Sequence, residues 1–468
     1  MGTINAAFNL ITGALDADQA ALNVVSNNVA NASNASYTRE VSNWEENQPI
    51  YINGIENGTG VTVTGGISQR DRVLEQRLQQ QTQASSSSTA LLNALTTLQA
   101  NFTPASSTNS SGNIGSDITN FFDAYTQLES SPTNSADRQQ VLESANTLAG
   151  DISSTAANLN AQKSSLDQSA ATVASQVNAI TTSLAQVNQQ IQSLSPNQDA
   201  GTLEDERQAD LGQLSQLIGV NQITTENNGM SIATASGQLL VSEGSSFQIT
   251  TGNVDGVTHF FVGSTDVTSD LTSGGGEIGG LLTARDQSIP TTMASLDQLA
   301  YGIASQVNTV NNAGTDMDGD NGNAGNIFNA PSQVAGSAAS MAVVMTDPNK
   351  IAAAGLGNGT GDGSNAVAAA NLSTQSIING QTPLNFYSNF VGTLGATVSE
   401  TTTQNTALTA SVSQLQSQRD SLSAVNLNDE ASSLENFQRS YQAASQVFTI
   451  LNSVMSSALN LGVETAVA

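Results

Sequence analysis

The chain has 468 residues, only 38% of them hydrophobic, 4% aromatic and 11% charged, where an average soluble domain carries roughly 25% charged residues; that mixture suits long helices with thin Ala, Val and Leu seams better than one thick core. Eleven Lys and Arg against thirty-nine Asp and Glu leave a net charge of −28, which repels phosphate backbones and anionic headgroups and argues against nucleic acid or membrane surfaces as partners. With no cysteine in the chain, disulfides, thiolate metal sites and cysteine nucleophiles are excluded.

The first residues, Met1-Gly2-Thr3-Ile4-Asn5-Ala6, lack the basic start and unbroken apolar stretch of a cleaved secretory signal. Ala6 fails the myristoylation pattern, and no segment approaches the ~18 continuous apolar residues of a membrane span. Any export is therefore expected to use a route without a cleaved signal. Ile4, Phe8, Ile11, Leu15, Leu22, Val25 and Val29 recur at steps of four and three, with Asp18 the one polar interruption, which predicts a helix with a coiled-coil seam. Shorter helices are predicted from Arg70 to Leu98, Ile114 to Leu128 and Leu203 to Ile218. Between about Val141 and Leu194 an apolar seam passes through Ala145, Leu159 and Val177, contains Gly150 as its one glycine and is ended by Pro196. It predicts a helix roughly 80 Å long at 1.5 Å per residue.

After Gly219 the pattern changes. As far as about Leu271, runs such as Gly237-Gln238-Leu239-Leu240-Val241 and His259-Phe260-Phe261-Val262 alternate with turn pairs Asn228-Gly229 and Asp255-Gly256, predicting a small β domain. A helix from Glu277 to Asn312, a Gly- and Asp-rich loop, a strand at Met341 to Met345 and a flexible connection from Gly355 to Gly363 follow. A seam from Tyr387 to Leu422 is expected to return along the long helix. The last seam, Phe437, Tyr441, Ala444, Phe448, Leu451, Met455 and Ala458, repeats the spacing of the first. A lone helix with one such stripe is marginal in water, so the two ends are expected to pair.

The expected fold is therefore mainly α with an inserted β domain (α+β), an elongated helical-bundle rod whose terminal helices form a coiled-coil domain. Residues 1–60 with 426–468 are read as that terminal domain, 61–218 with 364–425 as the rod, and 219–363 as an inserted outer domain, β-rich with one long helix.

Catalytic chemistry has little to stand on. His259 is the sole histidine and reads as a strand residue, and no Gly-x-Ser-x-Gly elbow or P-loop occurs. The acidic run Glu204-Asp205-Glu206 reads as a solvated helix start. Asp316, Asp318 and Asp320 space carboxylates as the first half of a calcium loop does, but Ile327 stands where the bidentate Glu is required and Asn321 where the glycine is expected; a solvated turn is preferred. No enzyme activity and no cofactor are expected.

The segment Ala21-Leu22-Asn23-Val24-Val25-Ser26-Asn27-Asn28-Val29-Ala30-Asn31-Ala32 with Tyr37-Thr38-Arg39 resembles the N-terminal signature of the flagellar rod, hook and hook-associated axial protein family. Asn426-Leu427-Asn428-Asp429-Glu430-Ala431 with Leu434, Phe437, Tyr441, Gln442, Ala443 and Ala444 looks like the matching C-terminal signature. The block from Gly275-Gly276-Glu277-Ile278-Gly279-Gly280-Leu281-Leu282 through Arg285-Asp286 and Ile289-Pro290 to Gly314-Thr315-Asp316 is similar to that of the hook-associated branch. The resemblance implies an extracellular adaptor at the hook-filament junction. It also implies assembly as a ring-like homo-oligomer through the terminal helices, with hook subunits, the next junction protein and a cytoplasmic export chaperone on the C-terminal helix as partners. Another axial protein, a second junction protein or a flagellin, and a secreted coiled-coil adhesin stay open as alternatives.

Overall fold

The computed structural model describes residues 2–34, 36–52, 54–102, 113–194, 200–224 and 228–464. The chain begins with α1 (Gly2–Asn31), followed by two antiparallel ribbons, β1 (Glu40–Glu46) with β4 (Val61–Ser68) and β2 (Ile50–Ile52) with β3 (Ile55–Asn57). The sequence reading missed these strands. Their signal was the alternation Val61-Thr62-Val63-Thr64 after the turn pair Asn57-Gly58.

Three helices, α2 (Arg72–Ala100), α3 (Ile114–Ser130) and α4 (Ser135–Ser193), then build the bundle, and α5 (Thr202–Leu217) closes against α2 and α4. Each of the first three starts on a side chain that accepts backbone N–H groups: Asp71, Asn113 and Asn134. The 59 residues of α4 form the spine, at about 1.5 Å per residue. Its inward positions Val141, Ala145, Leu148, Ile152, Leu159, Val177 and Leu184 are fully or nearly fully buried.

Two small sheets pack on the C-terminal half of α4: β5 (Asn221–Thr224), β6 (Met230–Ala233), β7 (Leu239–Ser242) and β8 (Ser245–Ser246) in one, and β9 (Ile249–Val254), β10 (Val257–Val262) and β11 (Thr265–Asp266) in the other. Asparagines stitch them to the helix. Asn178 accepts from Ile249 N at 2.7 Å and donates to Ile249 O at 2.8 Å, and Asn188 donates to Met230 O at 2.9 Å. Backbone groups of the sheets that face the spine are thereby satisfied by its side chains.

After α6 (Thr268–Gly274) comes α7 (Gly276–Thr283), then a widened π turn (Ala284–Ser288) and α8 (Ile289–Ala313). The single helix expected from Glu277 to Asn312 is thus continuous, with one π turn inside it. Pro290 cannot donate into the preceding turn, and the widened turn delivers Arg285, 1% exposed, to Asp167 at 2.6 Å and Thr258 O at 2.8 Å. The glycines before it serve close approach: a Cβ on Gly280 would lie 2.2 Å from Ser87 O of α2, and Gly276 has φ +72° with Ile218 backbone 2.4 Å from the Cβ position.

In place of a strand at Met341 to Met345 there is a helical turn α9 (Ser337–Ser340) and one bridge, Phe328 with Val343. The side chain of Asn308 pairs the backbone of Ile327 and Phe328 instead of a neighbouring strand. The Gly355 to Gly363 stretch, read as a flexible connection, is closed by Asp362, which accepts from Gly355 N and Asn358 and Ser364 side chains. These hydrogen bonds, led by that of Ser364, lower its pKa to about 2. Then α10 (Ser364–Asn371) packs on α3. Next, α11 (Pro383–Ser423) runs antiparallel to α2, with Asn405 on Thr89 and Gln99 near Gly395. The expectation that it follows α4 is corrected: α11 packs chiefly on α2, with smaller contacts to α8 and α3. Last is α12 (Leu427–Glu464).

Candidate assembly site

α1 and α12 pack antiparallel: Asn28 meets Glu430 at one end, and further along Phe8 stacks edge-on against Phe448 with ring centroids 5.0 Å apart. On α1, Ile11 and Val25 are buried and Phe8, Leu15 and Leu22 half-buried. The side chain of Ile4 lies outside the described residues. Val29 is a correction: it is 45% exposed, and Asn28, at 1%, turns inward instead. A straight helix advances 3.6 residues per turn and drifts off a strict 3.5 repeat, so the seam ends on an asparagine. On α12, Leu434, Phe437, Ala444, Phe448, Leu451 and Met455 are half-buried as their spacing predicts, while Tyr441 sits at the rim, 38% exposed. Trp44 of β1 covers Phe437 at 5.7 Å between rings.

Where the two helices meet the bundle, their apolar contact gives way to a polar clasp. Asn28 donates to Glu40 O (2.8 Å) and Glu430 Oε2 (3.1 Å), and its Oδ1 accepts from Glu40 N (3.0 Å) and the Tyr37 hydroxyl (2.8 Å). All four hydrogen-bonding positions of this buried amide are therefore used. Arg39 Nε donates to Glu430 Oε1 at 2.6 Å, and Arg39 N to Ser423 O at 2.9 Å. Thr38 N donates to Asp205 Oδ2 at 3.3 Å, while Arg70 donates to Thr38 Oγ1 at 3.0 Å and pairs with Asp205 and with Glu204, the latter at 3.3 Å. Arg207 continues the chain of charges, approaching Glu204 at 3.7 Å and donating to Asn228 O at 2.7 Å.

Burial pushes the Asp205 carboxyl up, and the Arg70 charge and Thr38 hydrogen bonds pull it back. Burial likewise raises the Tyr37 phenol, helped by Glu40, Asp205 and Glu430, so Tyr37 is a donor at neutral pH. The reading of Glu204 and Asp205 as a solvated helix start is corrected: they are 5% and 8% exposed. Arg70 and Arg207 compensate them in the interior, and the exposed Arg72 reaches Glu204 at 3.6 Å. Beside the clasp a cleft of about 640 Å³ opens between the 31–38 loop, α2, α5 and the end of α11, with Glu75, Gln79 and Arg419 on its wall.

The structure thus brings together residues from three separated sequence blocks, namely Asn28 with Tyr37 to Arg39, Asp205 with Arg207, and Glu430. Arg70 is the member that sequence reading passed over, since a lone arginine between strand and helix has no pattern. His259 lies on β10 against Asp266 at 2.6 Å, away from the clasp. Asp316, Asp318 and Asp320 face the ammonium of Lys350. Among the described residues no His, Asp or Glu group is arranged to hold a metal ion, and no helix is long and apolar enough to cross a membrane.

A family model described as flagellar hook-associated protein FlgK helical domain matches residues 104–328. Flagellar hook-associated protein 1 of Bacillus subtilis (strain 168) is 24% identical over 296 residues, covering 55% of this chain and 58% of that protein. The Escherichia coli (strain K12) protein of the same description is 24% identical over 362 residues, covering 57% and 64%. The chain thus spans less than two thirds of either relative's length. The solved structure of the flagellar hook junction protein FlgK from Burkholderia pseudomallei has a TM-score of 0.65 at 18% identity, covering 74% of this chain and 100% of that one, a likeness of fold.

Proposed function

We propose, from the match of residues 104–328 to the family model described as flagellar hook-associated protein FlgK helical domain, that the chain is a non-catalytic adaptor at the junction between flagellar hook and filament. The observation that carries this reading is the clasp: the signatures at the two chain ends close on each other and on the bundle through Asn28, Arg39 and Glu430. Such an arrangement presents the paired terminal helices as one attached element. Apolar side chains remain on the outer side of α12, with Val447 46%, Ile450 62% and Val454 48% exposed; their three-four spacing suits helix packing between subunits.

On this reading the terminal pair assembles with copies of itself and with hook subunits and the next junction protein, outside the cell. The helical rod and the inserted β-rich part lie around it. The C-terminal stripe is a hazard before export, which a cytoplasmic chaperone would cover. The test is electron microscopy of the host bacterium lacking this chain. The expected result is intact hooks without attached filaments and filament protein shed into the medium, with attachment restored by the wild-type chain but not by Ile450→Asp with Val454→Asp. Normal filaments on the deletion strain would overturn the reading.

A further inference from the structure

Outside the assembly site one cluster of charges is unexplained. Asp316, Asp318 and Asp320 turn their carboxylates to a common point, and at that point stands Lys350 Nζ, 3.1 Å from Asp316 Oδ2, 2.8 Å from Asp318 Oδ2 and 2.7 Å from Asp320 Oδ2. Asp316 is 0% exposed. Its Oδ1 accepts from the backbone N of Asp318 and of Asp320, both at 2.9 Å, while Oδ2 is met by the Lys350 ammonium. A buried carboxylate without a cation is strongly unfavourable, so something positive has to stand there.

The scaffold delivers that charge. Lys350 ends a short 3-10 turn (Pro348–Lys350) begun by Asp347, whose side chain accepts from Asn349 N at 2.9 Å. Arg138 of α4, 1% exposed, spends its donors on the same segment, reaching Ile351 O at 2.6 Å and Pro348 O at 3.4 Å. Met317 N donates to Asn349 O at 3.0 Å, and Asn311 joins Lys350 O at 3.4 Å to Ala352 N at 2.9 Å. The acidic loop and the lysine are thus fixed on one frame.

Alternating aspartates converging on one point are what a calcium loop supplies in its first half, yet this loop lacks the later bidentate Glu, Ile327 standing there, and its cation position is filled from within the chain. We propose that Lys350 is the resident cation of this loop, holding the place of a divalent ion so that the fold forms without metal, and that removing its charge turns the loop into a site for calcium. Lys350 is the cation in contact with all three carboxylates, Arg138 acting on Asp316 alone and from a distance, so an uncharged replacement of similar length removes the cation that Asp318 and Asp320 face.

The experiment uses the full chain and two variants, Lys350→Met and Lys350→Arg, each melted in EDTA and in millimolar calcium. Hydrogen exchange across residues 314–352 is followed in parallel. Wild type is expected to melt identically in both, with unchanged exchange; a fall of several degrees in EDTA would show that calcium is the resident ion and overturn the proposal. Lys350→Met is expected to lose protection over 314–352 in EDTA and to regain it with calcium. Folded Lys350→Met that ignores calcium also overturns it. Should Lys350→Met fail to fold without calcium, Lys350→Arg decides: a retained guanidinium is expected to keep the loop indifferent to metal, and dependence on calcium in that variant counts against the resident-cation role.

Discussion

Glu430, 1% exposed, receives both Arg39 and the Asn28 amide, so Glu430→Ala leaves a guanidinium and an amide without their acceptor. The expected loss is about 1.5–3 kcal/mol, read as a lower denaturant midpoint; a midpoint unchanged from wild type would remove the clasp from the account. Asp117 offers a second, independent residue. Burial, then the hydrogen bond and charge of Asp151, raise its pKa to about 7, against about 3.9 in an unfolded chain. The folded state therefore holds a proton that the unfolded state has released between those values, and stability falls as pH rises from about 4 through about 7. Asp117→Asn cannot ionise, so its denaturation midpoint relative to wild type is expected to improve from pH 4 to pH 8. A constant difference across that range would refute the raised pKa of Asp117.

At the scale of elements, the apolar stripes and the clasp have separable roles. Phe448 meets Phe8 near the outer end of the α1 and α12 pair, and it is only half-buried. Phe448→Ala is thus expected to cost about 2 kcal/mol, under the roughly 3–5 of a fully buried phenylalanine. Amide exchange should speed up in α1 and α12 and stay slow in α4, whose seam touches neither. The helix α7 obeys the opposite constraint. Gly280 lies against Ser87 O of α2 with no room for a methyl group, and Gly280→Ala is expected to destabilise by about 1–3 kcal/mol through overpacking, seen as a lower Tm.

For the whole molecule, one contiguous apolar core runs from α2 through α4 to α8 and the start of α11, while α1 and α12 stand outside it and join through polar contacts. A chain ending at Ser423 keeps every member of that core. It is expected to unfold cooperatively with the bundle's circular dichroism retained, to show fast exchange in α1, and to fail to restore filament attachment. Restored attachment by that chain would place the assembly function elsewhere in the molecule.

Helix periodicity was readable because it is local: the stripes of α1, α4 and α12 report which side of each helix avoids water, whatever covers it, and the two end signatures marked which helices belong together. The β insertion was likewise announced by its turn pairs. What the neighbours are was not local. Nothing in the spacing of Tyr387 to Leu422 distinguished α2 from α4 as the surface α11 covers. The strand that carries Trp44, Glu40–Glu46, was too polar to stand out. Asn28 and Glu430, 402 positions apart, and Lys350 with Asp316 are polar groups whose burial is favourable only once distant segments have met. The sequence by itself determined that the ends are helical, apolar on one side and paired; the tertiary structure decided that a buried asparagine, two arginines and a glutamate fasten that pair to the bundle, because desolvated charge is stable only where its partners have already been brought together.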